Sequence, residues 1–418
     1  MNRRQFCLGA AALAAAPSAL AAVLNRDDSC CHHDLAVVAQ GPAPATPGSS
    51  LRSSEHVDSL ENPHAPPIDI DAIEHDRVLR LADKALAQAP LTITAIPALR
   101  SPGTPHDYYS EADYWWPDAA DPNGPYVRRD GFSNPAKFTG HRDAVIRLSL
   151  IVPPLAAAWR LTGERRYADH ARKHLDSWFV DPATRMAPHL DYAQAIVGLN
   201  KGRGIGIIDT LHLVEVARAC QILGPGGELA WFRDYLQWLT GSANGQSERD
   251  EKNNHGTCWL LQAAQFARLT GDKALIAWAR ERFETVILPL QIAGDGRQPL
   301  ELARTKPYSY CLFNLDVLST LCRTLGDDLW HVTPPGAGSL EQAVSFMEPF
   351  IADKSRWPYP PDVEQFDKLP VRQVSLLFAG LALKRPDYLD LWRRLDPDPT
   401  EGEAIRNYPI RQPVLWRD

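Results

Sequence analysis

Lys252-Asn253-Asn254-His255-Gly256-Thr257-Cys258-Trp259 sets two amides ahead of a histidine, just before a run, Leu260 to Thr270, that reads as helix. Some fifty residues later comes Arg304-Thr305-Lys306-Pro307-Tyr308-Ser309-Tyr310. A proton next to a carboxylate is weakly acidic, because its removal builds a second negative charge there. Asn254 and His255 could disperse that charge by hydrogen bonding, each well-aimed donor contributing about 3 kcal/mol to the transition state. Tyrosine ordinarily ionises near about 10, so Tyr310 needs a neighbouring cation to act as base. Arg304, ahead of Pro307, could fold back to supply it. The same phenol could then protonate a leaving oxygen. Positioned acid–base catalysis gives roughly 10²–10⁴-fold, which leaves carboxylate neutralisation to carry much of the rest. The chemistry is β-elimination, which cleaves uronic-acid polysaccharides without water. Plainer roles for the same residues stay open. Asn253 or Asn254 also suits a helix cap, Tyr310 a packed aromatic, and Tyr308 is close enough that spacing alone does not choose between the two tyrosines.

Two long polar stretches could wall a cleft around these groups. Asp113-Tyr114-Trp115-Trp116-Pro117-Asp118 follows His106, Tyr108 and Tyr109 and precedes Tyr126-Val127-Arg128-Arg129-Asp130-Gly131. Trp115, Trp116 and Tyr126 suit the flat C–H faces of sugar rings, and Arg128 and Arg129 suit carboxylates. The competing role for the tryptophans is to pin the loop to the body. The second stretch, Asp191 to Thr210, offers Gln194, Asn200, Lys201 and Arg203. Its Gly202-Arg203-Gly204-Ile205-Gly206 string faintly resembles a nucleotide loop but lacks a preceding βαβ context, so a cleft wall or a tight turn are the readings kept.

An internal repeat supplies the elements that must position these residues. Arg160-Leu161-Thr162-Gly163-Glu164 recurs as Arg268-Leu269-Thr270-Gly271-Asp272, each followed by aromatics and alanines at helical spacing. Weaker echoes lie at Cys322 to Asp328 and Leu383 to Tyr388. Helices ending in a left-handed glycine cap and turning within two or three residues pack as antiparallel pairs. Strand signals are few: Leu91 to Ile96 alternates, and Pro125-Tyr126-Val127 suits a short extended piece. The irregular stretches 97–140 and 181–206 are too long for simple connectors. The expected fold is all-α, an incomplete (α/α) toroid of antiparallel helical hairpins with long loops lining its cleft.

The N-terminus, Met1-Asn2-Arg3-Arg4-Gln5-Phe6 and then an Ala-rich apolar run, reads as a twin-arginine export signal, with Ala19-Leu20-Ala21 offering a cleavage site. The expectation is a signal over residues 1–21, a Pro/Gly/Ser-rich linker over 22–66 and one domain over 67–418. The mature protein is then periplasmic or secreted, soluble and monomeric, with no later segment suited to crossing a membrane. Losing Arg3 and Arg4 would take the formal charge from −7 to −9, which argues against nucleic acid and requires a locally basic cleft for an anionic substrate. Cys30-Cys31-His32-His33 lacks a second cysteine pair at finger spacing, so no metal and no cofactor is expected. Cys220, Cys258, Cys311 and Cys322 read as buried free thiols.

Taken together, Tyr114-Trp115-Trp116-Pro117, Tyr126-Val127-Arg128-Arg129-Asp130-Gly131, Asn200-Lys201-Gly202-Arg203-Gly204, Lys252-Asn253-Asn254-His255-Gly256 and Glu301-Leu302-Ala303-Arg304-Thr305 resemble the alginate lyase superfamily of polysaccharide lyases. The resemblance runs from about residue 85 to about residue 385. It implies the (α/α) toroid, metal-independent β-elimination of an acidic polysaccharide and 4,5-unsaturated uronate products. It also implies a neutralising Asn254–His255 pair, a cleft arginine in Arg304 and an acid/base tyrosine in Tyr310, with Asn253 and Tyr308 as further substrate contacts. Gly256-Thr257-Cys258-Trp259 departs from the Ser-Tyr-Trp that follows the histidine in classical family-five alginate lyases. The likeness is closer to family thirty-eight, some members of which cleave β-1,4-glucuronan. Two alternatives remain: a glycoside hydrolase drawing two carboxylates from Asp113, Asp130, Asp191 and Asp209, and a non-catalytic binder using the Trp115–Trp116 loop.

Overall fold

The computed structural model describes residues 68–417. The expected signal, the linker and the Cys30-Cys31-His32-His33 cluster lie outside them.

Helices apolar on every side form an inner layer. Asn254–Thr270 is buried without interruption from Gly256 to Ala267, and Pro307–Leu325 is nearly so, because each is covered on all faces. Val152–Thr162, Leu213–Leu223, Asn254–Thr270, Pro307–Leu325 and Val374–Ala382 pack neighbour to neighbour in that order. Helices with one apolar stripe lie outside them. Arg165–Phe179 buries Tyr167, Ala171, Leu175 and Trp178 against Val152–Thr162, and Lys273–Arg282 and Pro386–Arg394 back the inner helices that precede them. The repeat marks these hairpins. Gly163 and Gly271 cap their helices at φ +71° and +82°, conformations that glycine adopts without strain. In the second of the weaker echoes Lys384 takes the left-handed position at φ +56°.

The ring is incomplete, and the C-terminus fills the gap. The Pro413–Trp416 turn packs on Ile70–Leu86, Val152–Thr162 and Leu213–Leu223. The Trp416 ring lies 5.9 Å from Phe378 of the last inner helix. Fully buried Glu215 accepts from the Arg411 and Gln412 backbone at 2.9 and 2.8 Å and from the Trp416 indole at 3.2 Å. Arg218 and Arg323, on separate inner helices, donate to the Leu415 and Trp416 carbonyls.

The two long irregular stretches meet. Tyr109–Glu111 pairs in parallel with Tyr192–Ala195, and Trp115–Trp116 forms a hairpin with Val127–Arg128. Leu91 to Ile96, expected as a strand, instead contains the 3-10 turn Ile93–Ala95. Its alternation reflects Ile93 turning into the core. A second correction concerns membrane-length segments. Gly140–Thr162 is long and apolar enough to cross a membrane, but it divides into helices Gly140–Ser149 and Val152–Thr162, mostly buried within the ring. Cys220, Cys258, Cys311 and Cys322 are buried and free.

Candidate active site

The Asn-Asn-His segment divides its work by position. Asn253 is the N-cap of the Asn254–Thr270 helix, its side chain accepting from the His255 N–H at 3.1 Å, while Gln291 donates to its carbonyl at 2.8 Å. Asn253 is buried, with its side-chain oxygen engaged at the helix end. Asn254 begins the helix. Buried Glu301 accepts from both its backbone N–H and its side-chain amide, each at 2.8 Å. The amide is thereby orientated with one N–H engaged and one to spare. His255 gives its Nδ1 to Glu248 at 2.7 Å. Burial pulls the imidazole pKa down, and the Glu248 carboxylate more than offsets it, so the net shift is upward.

Arg304 lies three residues beyond Glu301, in the turn before the Pro307–Leu325 helix, and it does fold back. Its Nη2 lies 3.4 Å from the Tyr310 hydroxyl, and the guanidinium carbon is 4.5 Å from the Tyr310 ring centroid. Arg304 also faces Asp130 at 3.5 Å. The Tyr310 hydroxyl is 2.7 Å from that of Tyr114, which brings the first loop to the acid/base candidate. Burial raises Tyr310 to about 12 despite Arg304 and the Tyr114 hydrogen bond, both of which lower it. Arg304 alone therefore does not deliver the phenolate anticipated from sequence.

Tyr308 is placed apart from Tyr310. It is fully buried, donates to the Phe350 carbonyl at 2.9 Å and packs edge-on against Trp357 and Phe366. Two positions along a helix is over half a turn, so Tyr308 and Tyr310 face different ways.

The remaining candidates lie on the two long loops. Trp115 and Trp116 are half-buried, and Arg128 and Arg129 are exposed. The Arg129 guanidinium lies 5.1 Å over the Trp116 ring, Arg128 pairs with Asp130 at 2.7 Å, and Tyr126 donates its N–H to Val197 of the second loop at 3.1 Å. Asn200 accepts from the Ile196 N–H at 3.2 Å, Lys201 is exposed, and Arg203 donates to the Gln194 carbonyl at 3.0 Å. Gly202 is there for close approach, since a Cβ would sit 2.1 Å from the Asp191 carbonyl oxygen. Gln194 itself holds φ +47°, a strained value for a side-chain-bearing residue.

Several residues of this constellation escaped sequence reasoning as site members: Tyr114, Glu248, Glu301 and Lys306. Lys306 is buried, 3.1 Å from Glu364 and 5.7 Å over the Tyr114 ring. Beneath the first loop, Asp113 pairs with Arg142 at 2.9 Å, Arg406 at 2.5 Å and Lys137 at 3.4 Å, and these cations hold its carboxyl far below the usual range against its burial. Tyr114 and Glu301 each carried a local signal, their places in Tyr-Trp-Trp-Pro and in Glu-Leu-Ala-Arg-Thr. Glu301 stands three residues before Arg304 and Glu248 seven before His255, so each lies close in sequence to a site residue.

Comparison with known proteins bears on this arrangement. The family described as alginate lyase matches residues 92–357. A crystal structure of an alginate lyase from Bacteroides ovatus superimposes with a TM-score of 0.71 at 32% identity, covering 84% of this chain and 94% of that one. Alginate lyase A1-III from Sphingomonas species A1 aligns at 16% identity with a TM-score of 0.46, over 84% of this chain and 95% of its own. No curated protein matched in a sequence search.

Proposed function

The chain belongs to the alginate lyase family and is a polysaccharide lyase, and from that premise we propose that it cleaves a 1,4-linked polyuronate, alginate or β-1,4-glucuronan, leaving a 4,5-unsaturated uronate end. The observation that carries this reading is the cluster of Arg304, Tyr114 and Tyr310, with the Tyr310 hydroxyl 3.4 Å from Arg304 and 2.7 Å from Tyr114. In this reading His255 and the free N–H of Asn254 hold the substrate carboxylate and accept the charge that develops as C5 loses its proton. Tyr310 takes that proton, the C4–O bond breaks as the C4–C5 double bond forms, and the Tyr310 proton passes to the departing oxygen in a syn sense. Binding of the first-loop hairpin to flanking sugars is part of the proposal, through Trp115, Trp116, Tyr126, Arg128 and Arg129, with Asn200, Lys201 and Arg203 opposite. So is twin-arginine export to the periplasm or the medium.

The hydrolase alternative finds little support. A general acid needs a carboxyl with a raised pKa, whereas Asp113 is held ionised by Arg142, Arg406 and Lys137, and Asp130 is lowered by Arg304 and Arg128 against its burial. Asp209 accepts from Tyr108, Ser110 and Gln194 as a structural hub. The deciding experiment incubates the protein with alginate, polymannuronate, polyguluronate and oxidised cellulose, following both ultraviolet absorbance of the unsaturated product and new reducing ends. Reducing ends without unsaturation on every polymer would overturn the proposal.

A further inference from the structure

Glu248 has no place in the chemistry described so far, yet its surroundings are those of a working group. It lies on the Ala243–Arg249 helix, is completely buried and meets His255 Nδ1 at 2.7 Å. A carboxylate buried without compensation is costly. Its Oε2 has no hydrogen-bond partner among the described residues, so the imidazole is the principal partner the fold gives it there. Gly204, at the foot of the second loop, packs so closely on this helix that a Cβ would lie 3.2 Å from the Glu248 nitrogen. Glu248 is therefore fixed between the loop wall and the neutralising pair.

We propose that Glu248 is a positioning residue for the elimination: it binds the Nδ1–H of His255, holds the ring as an imidazolium and leaves Nε2–H as the donor to the substrate carboxylate. The proposal deepens the lyase reading and rests on it for its function. The electrostatics follow from who faces the ring. Burial and, more weakly, Arg304 oppose its proton, and Glu248 and Glu251 favour it. Burial raises the Glu248 carboxyl above its usual range, and His255 and, more weakly, Arg203 oppose that rise; Glu301 is within electrostatic reach of His255. A histidine held protonated cannot be the base, which leaves that task to Tyr310. It supplies instead a full positive charge where the second negative charge of the carbanion develops.

The test needs no substrate. Histidine-labelled full-length protein is titrated by NMR, with His255→Ala identifying the signal. The wild-type His255 midpoint is expected above the ordinary value of about 6.5. Glu248→Gln, which retains an acceptor but removes the charge, is expected to lower the midpoint by about one pH unit, a tenfold loss of imidazolium. Glu251→Gln, with no hydrogen bond to the ring, should lower it less. An unchanged midpoint in Glu248→Gln overturns the proposal. If that variant fails to fold, a wild-type midpoint at or below about 6.5 overturns it as well. Because the titration is independent of turnover, a shifted midpoint without ultraviolet-active product would defeat the lyase proposal alone, whereas activity with an unshifted midpoint would defeat this one alone.

Discussion

At the scale of residues, the site asks one phenol to lose a proton that burial holds tightly. Tyr310 sits at about 12, and the groups that oppose burial are Arg304 and the Tyr114 hydroxyl. Tyr310→Phe is therefore expected to lower turnover by about a thousandfold, within the range for a positioned acid–base group. Its melting temperature should stay near that of wild type, as measured by circular dichroism; full activity would move the role elsewhere. The pH profile has a defined sign. Tyr310 acts deprotonated, so kcat/KM rises with pH; His255 acts protonated, so kcat/KM falls above its raised pKa. The optimum is expected on the alkaline side of an ordinary histidine. Tyr114→Phe removes a donor to Tyr310 and should shift the rising limb to higher pH, and an unmoved limb would exclude that role. The Arg304–Tyr310 approach was legible in sequence because six residues and a proline limit where the arginine can go. The choice of Tyr310 over Tyr308 was not, because it depends on which helix face meets Trp357 and Phe366.

At the scale of elements, inner helices of the ring are anchored at their ends by buried acids from elsewhere in the chain. Asp362 accepts from the Tyr308 and Ser309 N–H groups at 2.8 and 2.9 Å, fixing the turn that presents Tyr310. Asp316 does the same for Val374–Ala382, accepting from Ser375 at 2.9 Å, and burial raises it to about 7. Its unfolded value is about 3.9, so the folded state binds its proton more tightly. The stabilisation from this group is complete at acid pH and disappears as pH rises from about 4 to about 7. Asp316→Asn should flatten the dependence of melting temperature on pH across that window, and parallel curves for variant and wild type would contradict it. Such caps leave no trace in local sequence, since acid and helix lie 58 residues apart. The helix ends were legible at Gly163 and Gly271 because a left-handed cap is chosen by the residue itself. Lys384 shows the limit: the hairpin was visible in the echo, but the residue taking the positive φ was not.

At the scale of the whole molecule, the ring of inner helices stays open until the C-terminal turn enters it. Trp416 touches the last inner helix through Phe378 and bonds Glu215 on another. Trp416→Ala is expected to cost about 3–5 kcal/mol, measured as a lower urea midpoint, and an unchanged midpoint would contradict a closing role for this segment. Periodicity could reveal hairpins but not what fills the gap between the first and the last, because that depends on where the chain end returns. A net charge of −7 likewise implied that any site for an acidic polymer must gather its cations locally. Arg128, Arg129, Lys201, Arg203, Arg304, Lys306 and His255 are the cationic candidates for that role. The central claim is that this cleft eliminates rather than hydrolyses. Its most direct test is ultraviolet absorbance on incubation with the polyuronate panel: a rise from the conjugated product is expected in step with new reducing ends, lost in Tyr310→Phe, whereas new reducing ends with no rise would contradict elimination.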